Sequence, residues 1–136
     1  MKKLNKLIPF LVYALVFTVS IAIAQNKIPT IQGKSYKFEY GHFESNRQTM
    51  VCDTTIDCNI DIKIYEDAVL VDSKLRQDYT LGLTLDKEND NSHYLLSIEA
   101  IDQDRDLCNV IIYYNKITKI YILTIAYNNI FIKYYI

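Results

Sequence analysis

The stretch Ile56-Asp57-Cys58-Asn59-Ile60-Asp61-Ile62-Lys63-Ile64 decides the fold class. Every even position is apolar and every odd one is polar, the period-two pattern of a strand with one face on a core and one in water. Toward the N-terminus, Tyr36-Lys37-Phe38-Glu39-Tyr40 repeats the pattern with aromatic and charged residues. Gly41 ends or bulges that strand, and Glu44-Ser45-Asn46-Arg47 supplies a polar turn. Toward the C-terminus, Glu66-Asp67 turns into Val69-Leu70-Val71, which Asp72-Ser73-Lys74 closes. Tyr79, Leu81, Leu83 and Leu85 then alternate with Thr80, Gly82 and Thr84, which predicts another strand. The polar run from Asp86 to Ser92 predicts a solvated loop.

Tyr94 to Ile101 follows, then the turn Asp102-Gln103-Asp104-Arg105-Asp106. Leu107 to Tyr114 and Ile120 to Tyr127 are rich in Ile, Val and Tyr, which favour strands. Asn128-Asn129 predicts a two-residue hairpin, since Asn tolerates the positive φ of such turns. Ile130 to Ile136 finishes the chain. The expectation is an all-β protein, an antiparallel meander of about eight strands joined by short turns. It closes as a small lipocalin-like barrel or folds as a sandwich, after an N-terminal signal helix. The last three strands are apolar on both faces, so they belong in the middle of the sheet or at an interface; an exposed edge there would invite pairing by another chain.

Residues 1–24 read as a secretory signal peptide. Lys2, Lys3 and Lys6 form a basic start, Leu7 to Ala24 an apolar run, and Ala22-Ile23-Ala24 a cleavage-type ending. A transmembrane anchor is the competing assignment; the cleavage-type ending and the lack of a basic cluster after it favour removal. Residues 25–136 then make a single β domain, since so short a chain builds one core. The whole chain has 15 basic and 16 acidic residues; without the three leader lysines, 12 stand against 16, a net charge near −4. That balance speaks against a nucleic-acid partner, which needs a basic stripe. Secreted or periplasmic localisation follows, with no stable membrane insertion after cleavage.

Cys52, Cys58 and Cys108 are an odd number for an oxidising compartment. Cys58 is in phase with Ile56, Ile60, Ile62 and Ile64, and Cys108 with Val110 and Ile112, so both point inward. They form a disulfide if their strands are neighbours, and otherwise stay buried thiols.

Little catalytic chemistry is legible. Asp102-x-Asp104-x-Asp106 is spaced like the start of a calcium loop, but Leu107 stands where Gly is needed and Tyr113 where Glu is needed. Acidic turns of this kind stabilise turn geometry. His42 and His93 have no nucleophile motif around them, and no Gly-rich phosphate loop or paired-cysteine motif occurs. The expectation is therefore no enzyme, no metal and no cofactor. Tyrosine is the one excess: eleven remain after the leader, and Tyr113, Tyr121, Tyr127 and Tyr135 form a candidate binding surface.

The mature part resembles small uncharacterised secreted β-sheet proteins of bacteria. The stretches Tyr40-Gly41-His42-Phe43, Ala100-Ile101-Asp102 through Cys108-Asn109-Val110, and Ile125-Ala126-Tyr127-Asn128 to Tyr135-Ile136 carry the resemblance. In similar sequences a cysteine often stands where Ala100 is, across the turn from Cys108; here that hairpin disulfide has lost one partner. The resemblance implies no activity.

Two functions compete: a non-catalytic binding or interaction domain for a protein or glycan, and a lipocalin-like carrier of a small apolar ligand. A carrier needs a cavity, which bulky Ile, Leu and Tyr would fill. An outer-membrane barrel is a third class, disfavoured because the mature chain is short for eight spanning strands of about 9–11 residues plus loops, and because Asp57, Asp61 and Lys63 share one strand face.

Overall fold

The alternating run becomes the second half of a fifteen-residue strand, and the rest of the sheet is built on it. The structure is a computed structural model that describes residues 29–45 and 49–136. The predicted leader and part of the predicted turn at 44–47 lie outside the described residues. The described part is all β, with no helix. Eight strands follow in order: β1 (Ile31–Phe43), β2 (Met50–Ile64), β3 (Ala68–Asp72), β4 (Gln77–Asn89), β5 (His93–Asp102), β6 (Leu107–Asn115), β7 (Tyr121–Ala126) and β8 (Ile130–Tyr135).

Each strand pairs antiparallel with the next, as a meander requires. β8 then returns to β1, with Lys37 opposite Tyr135 and His42 opposite Ile130, so the sheet closes on itself. Closure gives the apolar last strands a neighbour on both sides and leaves no edge there. Thr124, between Leu123 and Ile125, is itself buried.

The inner face is filled in its middle. Ile62, Val69, Val71, Val110, Leu123 and Ile125 are fully buried and belong to one cluster. Each contributes about 1.5–3 kcal/mol by leaving water. In β2, Ile62 and Ile64 are buried as the alternation demands, but Ile56, where β2 pairs only with β1, is 45% exposed. In β1, only Phe38 of the aromatic trio packs on the core, while Tyr36 and Tyr40 stay exposed.

Two expectations fail in β4. Tyr79 is buried and Leu81 packs on the core, yet Leu83 is 75% and Leu85 52% exposed. The β4–β5 register slips twice, between Leu81 and Thr84 and between Thr84 and Asp86. Each bulge adds a residue and turns the following side chains to the other face. The expected loop from Asp86 also starts late, because β4 runs on to Asn89, paired with Tyr94.

The turns are placed well, although their backbone differs in detail. Tyr127 donates its N–H to the Ile130 carbonyl across Asn128-Asn129, as a two-residue hairpin does. Neither asparagine has positive φ; among non-glycine residues described, only Arg105 (φ 70°) and Lys119 (φ 62°) do. At each of those turns a side chain holds the loop. Asp102 accepts from the Asp104 and Asp106 N–H groups, and Asn115 from those of Ile117 and Thr118. The Asp102–Asp106 carboxylates thus begin with turn chemistry.

Strand lengths set up the site. β3 has five residues between two long strands, and it pairs with β4 only through Ala68–Thr80 to Val71–Gln77. Beyond Thr80, β4 overruns it at one end of the closed sheet. At the other end β2 overruns it, from Met50 to Ile60.

Candidate functional site

Where β4, β5 and β6 run past the short β3, their inner faces stand uncovered. The turn after β2 forms the opposite bank, and between them lies a cleft of about 530 Å³. Its floor is aliphatic: Ile31, Ile64, Leu81, Leu96, Ile98 and Ile112. Its rim is phenolic, with Tyr65, Tyr94, Tyr114 and Tyr121. Tyr114 and Tyr121 stack at 4.3 Å between ring centres and 25° between planes, which makes one flat aromatic wall. Among the described residues, Glu66 is the only charged side chain in the lining, and it is exposed. The volume lies within the usual range for pockets that hold small ligands.

The opposite end of the interior is closed by a different set of tyrosines, apart from a smaller pocket of about 120 Å³ that Gln77, Tyr79, Asp102 and Tyr127 help to line. Tyr127 donates to the Asp102 carboxylate at 2.8 Å, Tyr79 to the Gln77 side-chain oxygen at 2.8 Å, and Tyr134 to the same oxygen at 3.5 Å. Burial pushes the Tyr134 phenol up to about 12 and raises those of Tyr79 and Tyr127 as well. Burial also pushes the Asp102 carboxyl up, but the Asp106 N–H, the Tyr127 hydroxyl and the Asp104 N–H outweigh it and hold it below its ordinary value.

The four tyrosines singled out in the sequence therefore divide. Tyr121 alone lines the cleft, and Tyr127 belongs to the closed end. Tyr113 and Tyr135 pair on either side of Ile122, away from the filled interior. Tyr113 stacks on His93, while Tyr135 donates to Glu39 at 2.9 Å and lies under the Lys37 ammonium at 3.8 Å. Leu81, Leu96, Ile98, Tyr94 and Tyr114 were not singled out. The available signal was the mismatch between the short Val69–Val71 strand and its long neighbours, which leaves inner faces bare.

The cysteines are free thiols. Cys58 is half-buried and donates to the Ser35 carbonyl at 3.3 Å, and Cys108 is buried. Their strands are not neighbours, since β2 pairs with β1 and β3, and β6 with β5 and β7. Ala100 stands directly opposite Cys108, so the hairpin bridge implied by the resemblance would fall on a paired position.

The histidines sit on polar edges. His42 Nδ1 lies 2.8 Å from the Asp53 carboxylate on exposed strand. His93 lies between Glu88, at 3.1 Å, and Asp90, at 3.2 Å, with the Ser92 hydroxyl 2.9 Å from Nδ1. This hydroxyl–imidazole–carboxylate chain resembles part of a nucleophilic relay. However, Asp90 takes both the Ser92 and His93 N–H groups, so neither is left to stabilise an oxyanion. The Ser92 hydroxyl, which also donates to Asp90 at 2.7 Å, and then those two N–H groups hold the Asp90 carboxyl down at about 2 and build the turn after β4. No cluster of metal-ligating side chains occurs among the described residues. No family model, curated protein or solved structure matches the chain.

Proposed function

We propose that this chain is an exported, non-catalytic binding domain, a small lipocalin-like barrel that holds one apolar or amphiphilic ligand in the cleft. The observation that carries this is the aliphatic cleft of about 530 Å³ at one end of the interior, against a pocket of about 120 Å³ at the other. A wholly filled barrel would have favoured a purely surface-binding domain, and a wholly hollow one a large ligand. Export rests on the leader-type start of the chain. An aqueous setting fits exposed pairs on the strands, such as Lys34 with Asp61 at 3.3 Å.

The test is titration of the mature protein with N-phenyl-1-naphthylamine, a neutral apolar fluorophore. Saturable one-site enhancement is expected, and Leu96→Trp, which fills the cleft floor, should abolish it while circular dichroism stays unchanged. Enhancement that is absent from the unsubstituted protein, or that survives at full strength in both Leu96→Trp and a second filling variant, Leu81→Trp, rejects the cleft as the site.

A further inference from the structure

The tyrosine hydroxyls differ in what they bond, and those at the cleft bear on what it holds; Tyr36, Tyr40 and Tyr113, outside the cleft, also have hydroxyls with no partner among the described residues. Tyr79, Tyr127, Tyr134 and Tyr135 each have a hydroxyl that donates to a side-chain oxygen. The four rim tyrosines have none: no described residue hydrogen-bonds the hydroxyls of Tyr65, Tyr94, Tyr114 or Tyr121. All four are half-buried. An open phenol can both donate and accept, which suits a partner with hydroxyls of its own. Among the described residues the same rim carries a single charge, the Glu66 carboxylate, which repels an anionic head. No described cation offsets it in the lining. Lys116 is held by the Asn89 side-chain oxygen and the Asp90 carbonyl, and Lys87, opposite Leu96 on β4, lies outside the lining.

We infer that the cleft takes an amphiphile with an aliphatic body and an uncharged, hydroxyl-rich head, the chemistry of an alkyl glycoside and not of a fatty acid. This rests on the cleft being the binding site. The body lies on Ile31, Ile64, Leu81, Leu96, Ile98 and Ile112, where the floor offers no polar side chain. The head meets the stacked Tyr114–Tyr121 wall and the free phenols, so ring area and hydroxyl direction act on the same group.

The test is isothermal titration calorimetry of the mature protein with four eight-carbon probes below their micelle concentrations: n-octyl β-D-glucoside, octanol, octylamine and octanoate. Octyl glucoside should bind at least about threefold more tightly than octanol and octylamine, and octanoate should bind most weakly. Tyr94→Phe and Tyr121→Phe together keep the rings but remove two hydroxyls. They should weaken octyl glucoside by about three- to tenfold and leave octanol within about twofold. Glu66→Gln should recover octanoate by about two- to fivefold. Octanoate or octylamine binding as tightly as the glucoside, or a double variant that leaves glucoside affinity unchanged, overturns the head-group inference. If octanol still binds in those cases, the cleft stands as the site. If none of the four probes binds, the cleft fails together with the inference.

Discussion

At the scale of single residues, exposure and local bonding divide groups of the same type into different chemistries. Cys52 is exposed on β2, Cys58 is half-buried against the Ser35 carbonyl, and Cys108 is buried. Burial, with Asp102 nearby, pushes the Cys108 thiol up to about 11. Since the thiolate is the reactive form, iodoacetamide at pH 8 should label Cys52 first, Cys58 more slowly and Cys108 only after unfolding. Peptide mapping over time measures that order, and equal rates at all three sites would contradict the described burial. The tyrosines divide in the same way, between hydroxyls bonded to a side-chain oxygen, as in Tyr127 and Tyr135, and hydroxyls left open, as in Tyr94 and Tyr121 at the cleft.

At the scale of elements, bulges decide which alternating residues count as core. Leu123 is fully buried in β7, and Leu123→Ala should cost about 2–5 kcal/mol through lost burial and the cavity left behind. Leu83 and Leu85 look equally internal by sequence period, but the two register slips in β4 turn them outward. Leu83→Ser and Leu85→Ser should each change stability by no more than ~0.5 kcal/mol in urea unfolding. A loss near that of Leu123→Ala would mean that β4 keeps its simple alternation. The bulges also protect the half of β4 that β3 leaves unpaired. Together with the charged Asp86, Lys87 and Glu88, they make it a poor template for another strand. Gly41 marks a similar constraint in β1, where an added Cβ would run into the Val51 carbonyl oxygen and the Phe131 ring. Phe131 is only 1% exposed there, and it packs edge-on to Phe43 at 5.6 Å.

At the scale of the whole molecule, closure gives the interior two unlike ends, a phenol–carboxylate network at one and an open apolar cleft at the other. The network, together with Tyr135 outside it, couples folding to alkaline pH. Burial raises the phenols of Tyr79, Tyr127 and Tyr134, and burial with the Glu39 bond raises that of Tyr135 to about 12. Their folded values therefore lie above the unfolded value of about 10. The stability this contributes is complete below pH 10 and is lost as the pH rises through the folded values. Ultraviolet titration of tyrosinate should show these four ionising late, with urea midpoints falling above pH 10. Midpoints that stay flat to pH 12 would exclude the coupling.

The amino-acid sequence alone determined the strand character, the number and order of the strands, and most of the turn positions. Period-two alternation and turn residues are local properties, as the run from Ile56 to Ile64 and the Asp102 and Asn128 turns make plain. Tertiary structure decided the rest. Whether Leu83 faces the core depends on a register slip against β5, and whether Cys58 can reach Cys108 depends on which strands are neighbours. The cleft is more distant still from any local signal. It exists because a five-residue β3 lies between two strands that overrun it in a closed sheet, so its lining comes from side chains far apart in the chain. Pairing across the whole sheet brings them together, and no local pattern of apolar and polar residues records that pairing.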